Sequence, residues 1–198
     1  MQRYTVNQYF VRNILNLVQE KEIAIPEIQR PFVWDSIKVC IAWKNPDVRL
    51  KDGSVSNGKK VLIDGQQRIT ALRAAVLGQN IVNTDYKEER IIIAFHPITE
   101  EFATLTPAIA KDKAWIQDIS KLMVKDGGMF EDVTNYCEKN QETNQSLVAK
   151  NIEKLLQVKS KQVGFIELDS ALDIETVTEI FIRINSKGVV LSQADFAM

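Results

Sequence analysis

Histidine is nearly missing from this sequence: His96 stands alone among 198 residues. One imidazole excludes two-histidine metal motifs. With only Cys40 and Cys137 beside it, Cys/His zinc clusters are excluded as well. The two cysteines are far apart and set up no disulfide framework, which fits buried or idle thiols in a reducing compartment. No apolar run approaches the roughly 18 residues of a membrane span. The start, Met1-Gln2-Arg3-Tyr4-Thr5-Val6-Asn7, lacks the apolar stretch of a secretory signal. A cytoplasmic protein with no membrane partner is therefore expected. Charge excess is missing too: 25 basic against 26 acidic residues leave a net charge of -1, a weak pull on DNA. Nucleic-acid contact would need a local basic patch or a partner domain.

What remains is ordinary globular composition, 45% hydrophobic and 26% charged, enough for a core without staples. Thr5 and Gln8 have the spacing of a capping box, and Val6, Tyr9, Phe10, Ile14, Leu17 and Val18 share a helical face, which predicts a helix ending near Glu20 and Lys21. Ile23-Ala24-Ile25 reads as a short strand halted by Pro26. Residues 26–34, with two prolines, read as irregular, and residues 45–60 as a loop or hairpin rich in turn residues. Residues 60–64 suit a buried strand, followed by a helix carrying Ile69, Leu72, Ala75 and Val76 inward, with Gly78 at its end. Residues 90–95 read as another central strand. Helical patterns then take over, a weaker one at 130–139 and an amphipathic one through Leu147, Val148, Ile152, Leu155 and Leu156. Residues 162–168 return to strand. Asp173 caps a helix bearing Ile174, Val177, Ile180 and Phe181, and Asn185-Ser186-Lys187-Gly188 reads as a loop. Ser192 and Asp195 have capping-box spacing for a helix that Met198 leaves unfinished, so a piece of a larger protein is expected. The fold class is α+β: the first part of a core over 1–106, a helical insertion or subdomain over 107–160, and a return to the core over 161–198.

Three segments carry candidate chemistry. Asp64-Gly65-Gln66-Gln67-Arg68 falls between a strand and a helix, where unpaired N–H groups and the helix dipole favour an anion. Gly65 permits close backbone approach, and Arg68 in the first turn supplies a bidentate phosphate clamp. Asp64 can orient a sugar hydroxyl or help to hold Mg²⁺. The single glycine, with no Gly-Lys-Ser/Thr after it, excludes a Walker loop. The plain alternative is a capped turn with solvated glutamines. Gln29-Arg30, pinned before Pro31, presents an arginine that is either a ligand or a surface residue beside the anchors Phe32 and Trp34. Arg183 and Asn185, with Lys187 and Gly188 following, either close over phosphates or a base or simply complement a helix C-terminus. Tyr4, Tyr9, Trp34, Trp43 and Trp115 can stack on bases, but without a basic stripe they read better as core. The pairs Glu88-Glu89 and Glu100-Glu101 read as solvated faces.

Taken together, residues 25–34, 61–68 and 181–188, with Leu191, Ser192 and Asp195, resemble the N-terminal domain of GmrSD-type, modification-dependent restriction enzymes, a group first defined as a domain of unknown function. The three motifs occur in the family's order and span nearly the whole chain. The resemblance implies a ParB/sulfiredoxin-like core with helical additions, and binding of a nucleoside triphosphate (base unspecified), with hydrolysis in some relatives, coupled to DNA restriction. Asp64, Gly65, Gln66, Gln67 and Arg68 would form the nucleotide site, and Gln29, Arg30, Arg183 and Asn185 would line it. Arg68 and Arg30 would neutralise phosphates, Asp64 would position Mg²⁺ or ribose, and Gln66 or Gln67 would orient water. Two departures stand out. Family members usually carry a helix and a strand between the tryptophan and Asp-Gly-Gln-Gln-Arg motifs, whereas here Trp34 runs almost directly into Cys40-Ile41-Ala42-Trp43. The nuclease half is absent as well, and one histidine cannot build its His-Asn-His site, so cleavage is expected from a separate domain or subunit. Gln66 and Gln67 also replace the sulfiredoxin cysteine. Two rivals remain open: a module that binds nucleotide or DNA without turnover, and a ParB-like DNA-binding protein or nuclease.

Overall fold

In the computed structural model, which describes residues 4–24, 39–44, 54–82, 87–125 and 127–186, residues 4–10 form a strand rather than the start of the expected helix. In chain order the elements are β1 (Tyr4–Phe10), α1 (Val11–Gln19), β2 (Ile23–Ala24), β3 (Val39–Lys44), β4 (Lys60–Asp64), α2 (Gln66–Leu77), β5 (Ile81–Val82), β6 (Glu88–Glu89), β7 (Ile93–His96) and β8 (Glu101–Thr104). Then come α3 (Pro107–Lys111), α4 (Ile119–Val124), α5 (Met129–Lys139), α6 (Gln145–Leu156), a 3-10 turn (Gln157–Ser160), β9 (Gln162–Leu168) and α7 (Ile174–Ser186). The fold is mixed α/β, with seven α-helices and a mixed sheet among the described residues. Of these helices, none is long and apolar enough to cross a membrane. The chain divides into two units, residues 1–67 with 162–198, and residues 68–161.

The first unit is built on a five-stranded sheet in the order β1-β9-β3-β4-β2. The β1–β9 and β3–β4 pairs are antiparallel, and β9–β3 and β4–β2 are parallel. Tyr4 through Phe10 pair residue by residue with β9. That ladder satisfies backbone groups that a helix would have bonded locally, so a distant partner overrides the Thr5/Gln8 capping signal. Helix starts only at Val11, and its period then buries Val11, Ile14, Leu15 and Val18. The short strand after it lies at Ile23–Ala24, as expected. Strand β3, unread in the sequence, sits in the middle of the sheet between β9 and β4. Its Ile41 and Trp43 join Ile166, Leu168, Val177 and Ile184 in a buried cluster, so α7 packs on that sheet face. Trp43 Nε1 also donates to the Asp169 carbonyl at 3.2 Å. Asp173 caps α7 as expected, accepting from the Thr176 N–H at 2.7 Å. Helix α7 extends through Asn185 and Ser186, residues expected in a loop.

In the second unit, β5 pairs with β6 and β7 with β8 as two small antiparallel hairpins. The expected central strand at 90–95 is therefore corrected: it begins only at Ile93 and belongs to a two-stranded hairpin. Arg90 lies outside both hairpins' strands, and its guanidinium serves as a bolt. It donates to the carbonyls of Ala74 at 3.0 Å and Ile91 at 2.6 Å, to Asp118 Oδ2 at 3.2 Å and to Ser120 Oγ at 3.0 Å. Helices α3, α4 and α6 start on Thr106, Asp118 and Asn144, whose side chains accept from Ile109, Ser120 and Leu147 N–H groups. Val133, Tyr136, Val148 and Ile152 form the core between α5 and α6. The deeply buried amide of Asn151 donates to the Pro97 carbonyl at 2.7 Å.

Candidate functional site

Asp64-Gly65-Gln66-Gln67-Arg68 occupies a strand-to-helix turn: Asp64 ends β4, and Gln66 is the first residue of α2. Strand β4 is held on both sides, by β3 and β2, so the turn leaves a fixed support. The β3–β4 register slips just before the turn. Ala42 pairs with Leu62 and Ile41 with Asp64, leaving Ile63 as an extra residue on β4. Such a bulge bends the strand and re-aims the next side chain. Gly65 then takes φ +84°, a left-handed conformation that L side chains resist. Space excludes a side chain there too, because a Cβ on Gly65 would lie 2.6 Å from Cys40 Sγ.

Gln66 turns back on the strand, its Nε2 donating to the Leu62 carbonyl at 2.9 Å. That contact ties the start of α2 to β4. Asp64, Gln67 and Arg68 are half-buried, and none of them, nor Arg183, stands without an interaction partner. Arg183 is exposed in the last turn of α7, and Asn185 belongs to the same turn. Their neighbour Ile184 shares a buried cluster with Ile41, and Ile63, the residue before Asp64, packs against that cluster. The first unit therefore brings the end of β4 and the end of α7 to one side of the sheet. Gln29, Arg30 and Lys187 lie outside the described residues.

Among the described residues no three His, Cys, Asp or Glu side chains converge to cage a metal ion. The donor chemistry at the turn is a single hard carboxylate, Asp64. One carboxylate fits Mg²⁺, which is commonly held through one or two carboxylates, waters and substrate phosphates.

A second polar cluster, not singled out from the sequence, lies toward the opposite end of β4. Lys60 starts that strand, and four residue steps put it roughly 13 Å along from Asp64. Glu167 Oε1 accepts from Tyr9 OH at 2.6 Å, Lys60 Nζ at 3.0 Å and Asn7 Nδ2 at 3.1 Å. Burial would raise the Glu167 carboxyl, but the hydrogen bonds from Tyr9 and Lys60 and the Lys60 charge outweigh it and hold the pKa below the ordinary value. Burial would likewise lower Lys60, yet its bond to Glu167 raises it. Tyr9 is raised by burial and by its bond to Glu167. A cleft of about 220 Å³ beside this cluster is lined in part by Thr5, Lys44, Lys60, Glu167 and Ser170. The sequence held no local sign of the cluster, because strand register alone assembles it.

Residues 11–198 match the family described as GmrSD restriction endonuclease, N-terminal domain. The chain belongs to that family. The matched stretch covers the β4–α2 turn and all of α7, whereas β1, with Asn7 and Tyr9, lies ahead of it. No curated protein matches the chain at a significant level. As a GmrSD N-terminal domain, the chain carries the Asp-Gly-Gln-Gln-Arg segment on a strand-to-helix turn rather than in an open loop. Between the tryptophan motif and that segment lies β3, where the sequence reading placed no strand.

Proposed function

We propose that this GmrSD N-terminal domain binds a nucleoside triphosphate at the β4–α2 turn and hydrolyses it, as the regulatory part of a cytoplasmic restriction or anti-phage defence protein that acts on DNA. The observation that carries the reading is the turn itself. A left-handed, side-chain-free Gly65 separates a strand-end carboxylate from a helix whose first turn contains an arginine. The first N–H groups of α2 and the positive end of its dipole favour phosphate oxygens. Arg68 adds a planar, permanently charged donor, and Arg30, Arg183 and Lys187 add positive charge from the other two motifs. Gln29 and Asn185 supply neutral donors and acceptors for ribose or base.

Phosphoryl transfer requires mainly positioning and charge neutralisation. Asp64 is the residue to hold Mg²⁺, which when bound would neutralise phosphate oxygens. Gln66 or Gln67 is the residue to orient a water, Gln66 from a side chain tied to β4. The fold reading that accompanies this site is a ParB/sulfiredoxin-like core, 1–106 with 161–198, to which the helices of 107–160 are added. DNA contact is assigned to the full-length protein and cleavage to a separate nuclease domain or subunit, in keeping with a lone histidine and a net charge of -1.

Phosphate release from each of the four ribonucleoside triphosphates, with Mg²⁺, tests the hydrolytic part. Turnover that falls at least about a hundredfold in Gln66→Ala or in Gln67→Ala is expected. Tight binding with no phosphate released would leave a sensor that binds without turnover.

A further inference from the structure

The β3–β4 ladder ends where the candidate turn begins. Its last pair is Ile41 with Asp64. One more step along an antiparallel pair would set Cys40 opposite Gly65. The chain instead leaves the sheet there, with Gly65 at φ +84°, yet the two residues remain in contact. A Cβ on Gly65 would fall 2.6 Å from Cys40 Sγ, 3.2 Å from Cys40 Cβ and 3.4 Å from Cys40 Cα. Cys40 is 1% exposed, and on its other side it is registered beside Phe165, which is 0% exposed. Phe165 is braced in turn by an edge-on contact with Tyr9, ring centres 5.3 Å apart. The sulfur is thus supported by the sheet on one side and faces Gly65 on the other.

We propose that Cys40 is a positioning residue for the Asp64–Gly65–Gln66 turn: its sulfur is the seat on which the Gly65 backbone rests, fixing where the backbone N–H groups at the start of α2 point. A thiol suits the task because it is small, polarizable and tolerant of burial. A smaller side chain leaves the backbone unsupported on that side, since interiors relax only partly around a lost atom. The consequence for ligand affinity rests on the nucleotide reading above; the seat itself does not.

Amide hydrogen exchange on the protein without nucleotide tests the seat. In Cys40→Ala the amides of 69–71, the first of α2 to be bonded within the helix, should exchange about tenfold faster, while those of α6 change by less than about twofold. Cys40→Ser, which keeps an atom in the γ position, should stay near the wild type. The reciprocal variant Gly65→Ala presses a carbon onto the sulfur, so it should perturb the same amides, and less so when combined with Cys40→Ala. Titration with fluorescently labelled ATP and GTP then reads the ligand side: about fivefold weaker binding in Cys40→Ala, restored in Cys40→Ser. Unchanged exchange at 69–71 in Cys40→Ala, or an equal rise throughout α6, would overturn the proposal. So would local loosening that leaves nucleotide affinity untouched. Local loosening in a protein that binds no nucleotide even as wild type would uphold the seat and reject the nucleotide reading.

Discussion

Tyr9 donates its hydroxyl to Glu167 Oε1 at 2.6 Å, across the β1–β9 pair and 158 residues apart in sequence. That bond, shared with Asn7 and Lys60 donors on the same oxygen, fastens the edge strand β1 to the sheet. Tyr9→Phe removes one donor and leaves the carboxylate partly served. A loss of about 1–2 kcal/mol is expected by urea denaturation. A midpoint unchanged from wild type would mean that β1 is held by its backbone ladder alone.

The same cluster sets a pH dependence. Glu167 is depressed below the ordinary 4.5, so its contribution is complete above that value and is lost as pH falls through the lower folded pKa. Lys60 and Tyr9 are raised above 10.5 and 10.0, so theirs are complete below those values and are lost as pH rises through the folded ones. Stability from the cluster should be flat from about pH 5 to about pH 9.5 and fall on both sides. In Glu167→Gln the acid limb should shrink, which melting curves at stepped pH would show. An acid limb of full size in that variant would place its cause elsewhere.

Two glycines with similar backbone angles should respond differently to alanine. Gly58 has φ +80° with nothing among the described residues within 4 Å of a new Cβ, whereas Gly65 has φ +84° and the Cys40 sulfur at 2.6 Å. Both variants incur the left-handed penalty of about 1 kcal/mol. Gly65→Ala should cost about 2 kcal/mol more, for overpacking. Equal losses by denaturant titration would show that the turn accommodates a side chain.

Arg90→Met should destabilise the second unit by about 2–4 kcal/mol, because it takes a donor from the Ala74 carbonyl and the charge partner from Asp118, which keeps only its Ser120 bonds. Thermal unfolding measures the loss, and one under about 0.5 kcal/mol would contradict the role assigned to Arg90.

Thr70 presents the opposite case. Its Oγ1 is buried without a hydrogen-bond partner among the described residues, so Thr70→Val should be neutral or stabilising by up to about 1 kcal/mol. A marked loss of stability in the same denaturation assay would reveal a partner for that hydroxyl.

What could be read from the sequence followed the range of the forces involved. Strand β4, its turn and α2 were legible because the apolar run, Gly65 and the helical period are all local. The same holds for β9, α5, α6 and the Asp173 cap. Residues 4–10 were misread because Thr5 and Gln8 imitate a local helix signal while the deciding partner is β9, far along the chain. Strand β3 went unread because its alternation is masked by burial on both faces: Cys40, Ile41, Ala42 and Trp43 are all buried. In the candidate site, the Asp64 and Arg68 positions were legible as a motif. The β-bulge at Ile63, the Cys40 seat and the Glu167 cluster depend on register between strands, which no local pattern encodes. Gln29, Arg30 and Lys187 fall outside the described residues.

Calorimetric titration of the four nucleoside triphosphates, with Mg²⁺, into the wild type and into Arg68→Ala tests the central claim most directly. The account predicts saturable binding of at least one triphosphate to the wild type, weakened about tenfold or more in a folded Arg68→Ala. Absence of binding by every triphosphate, or equal affinity in Arg68→Ala, would contradict the assignment of the β4–α2 turn as a triphosphate site.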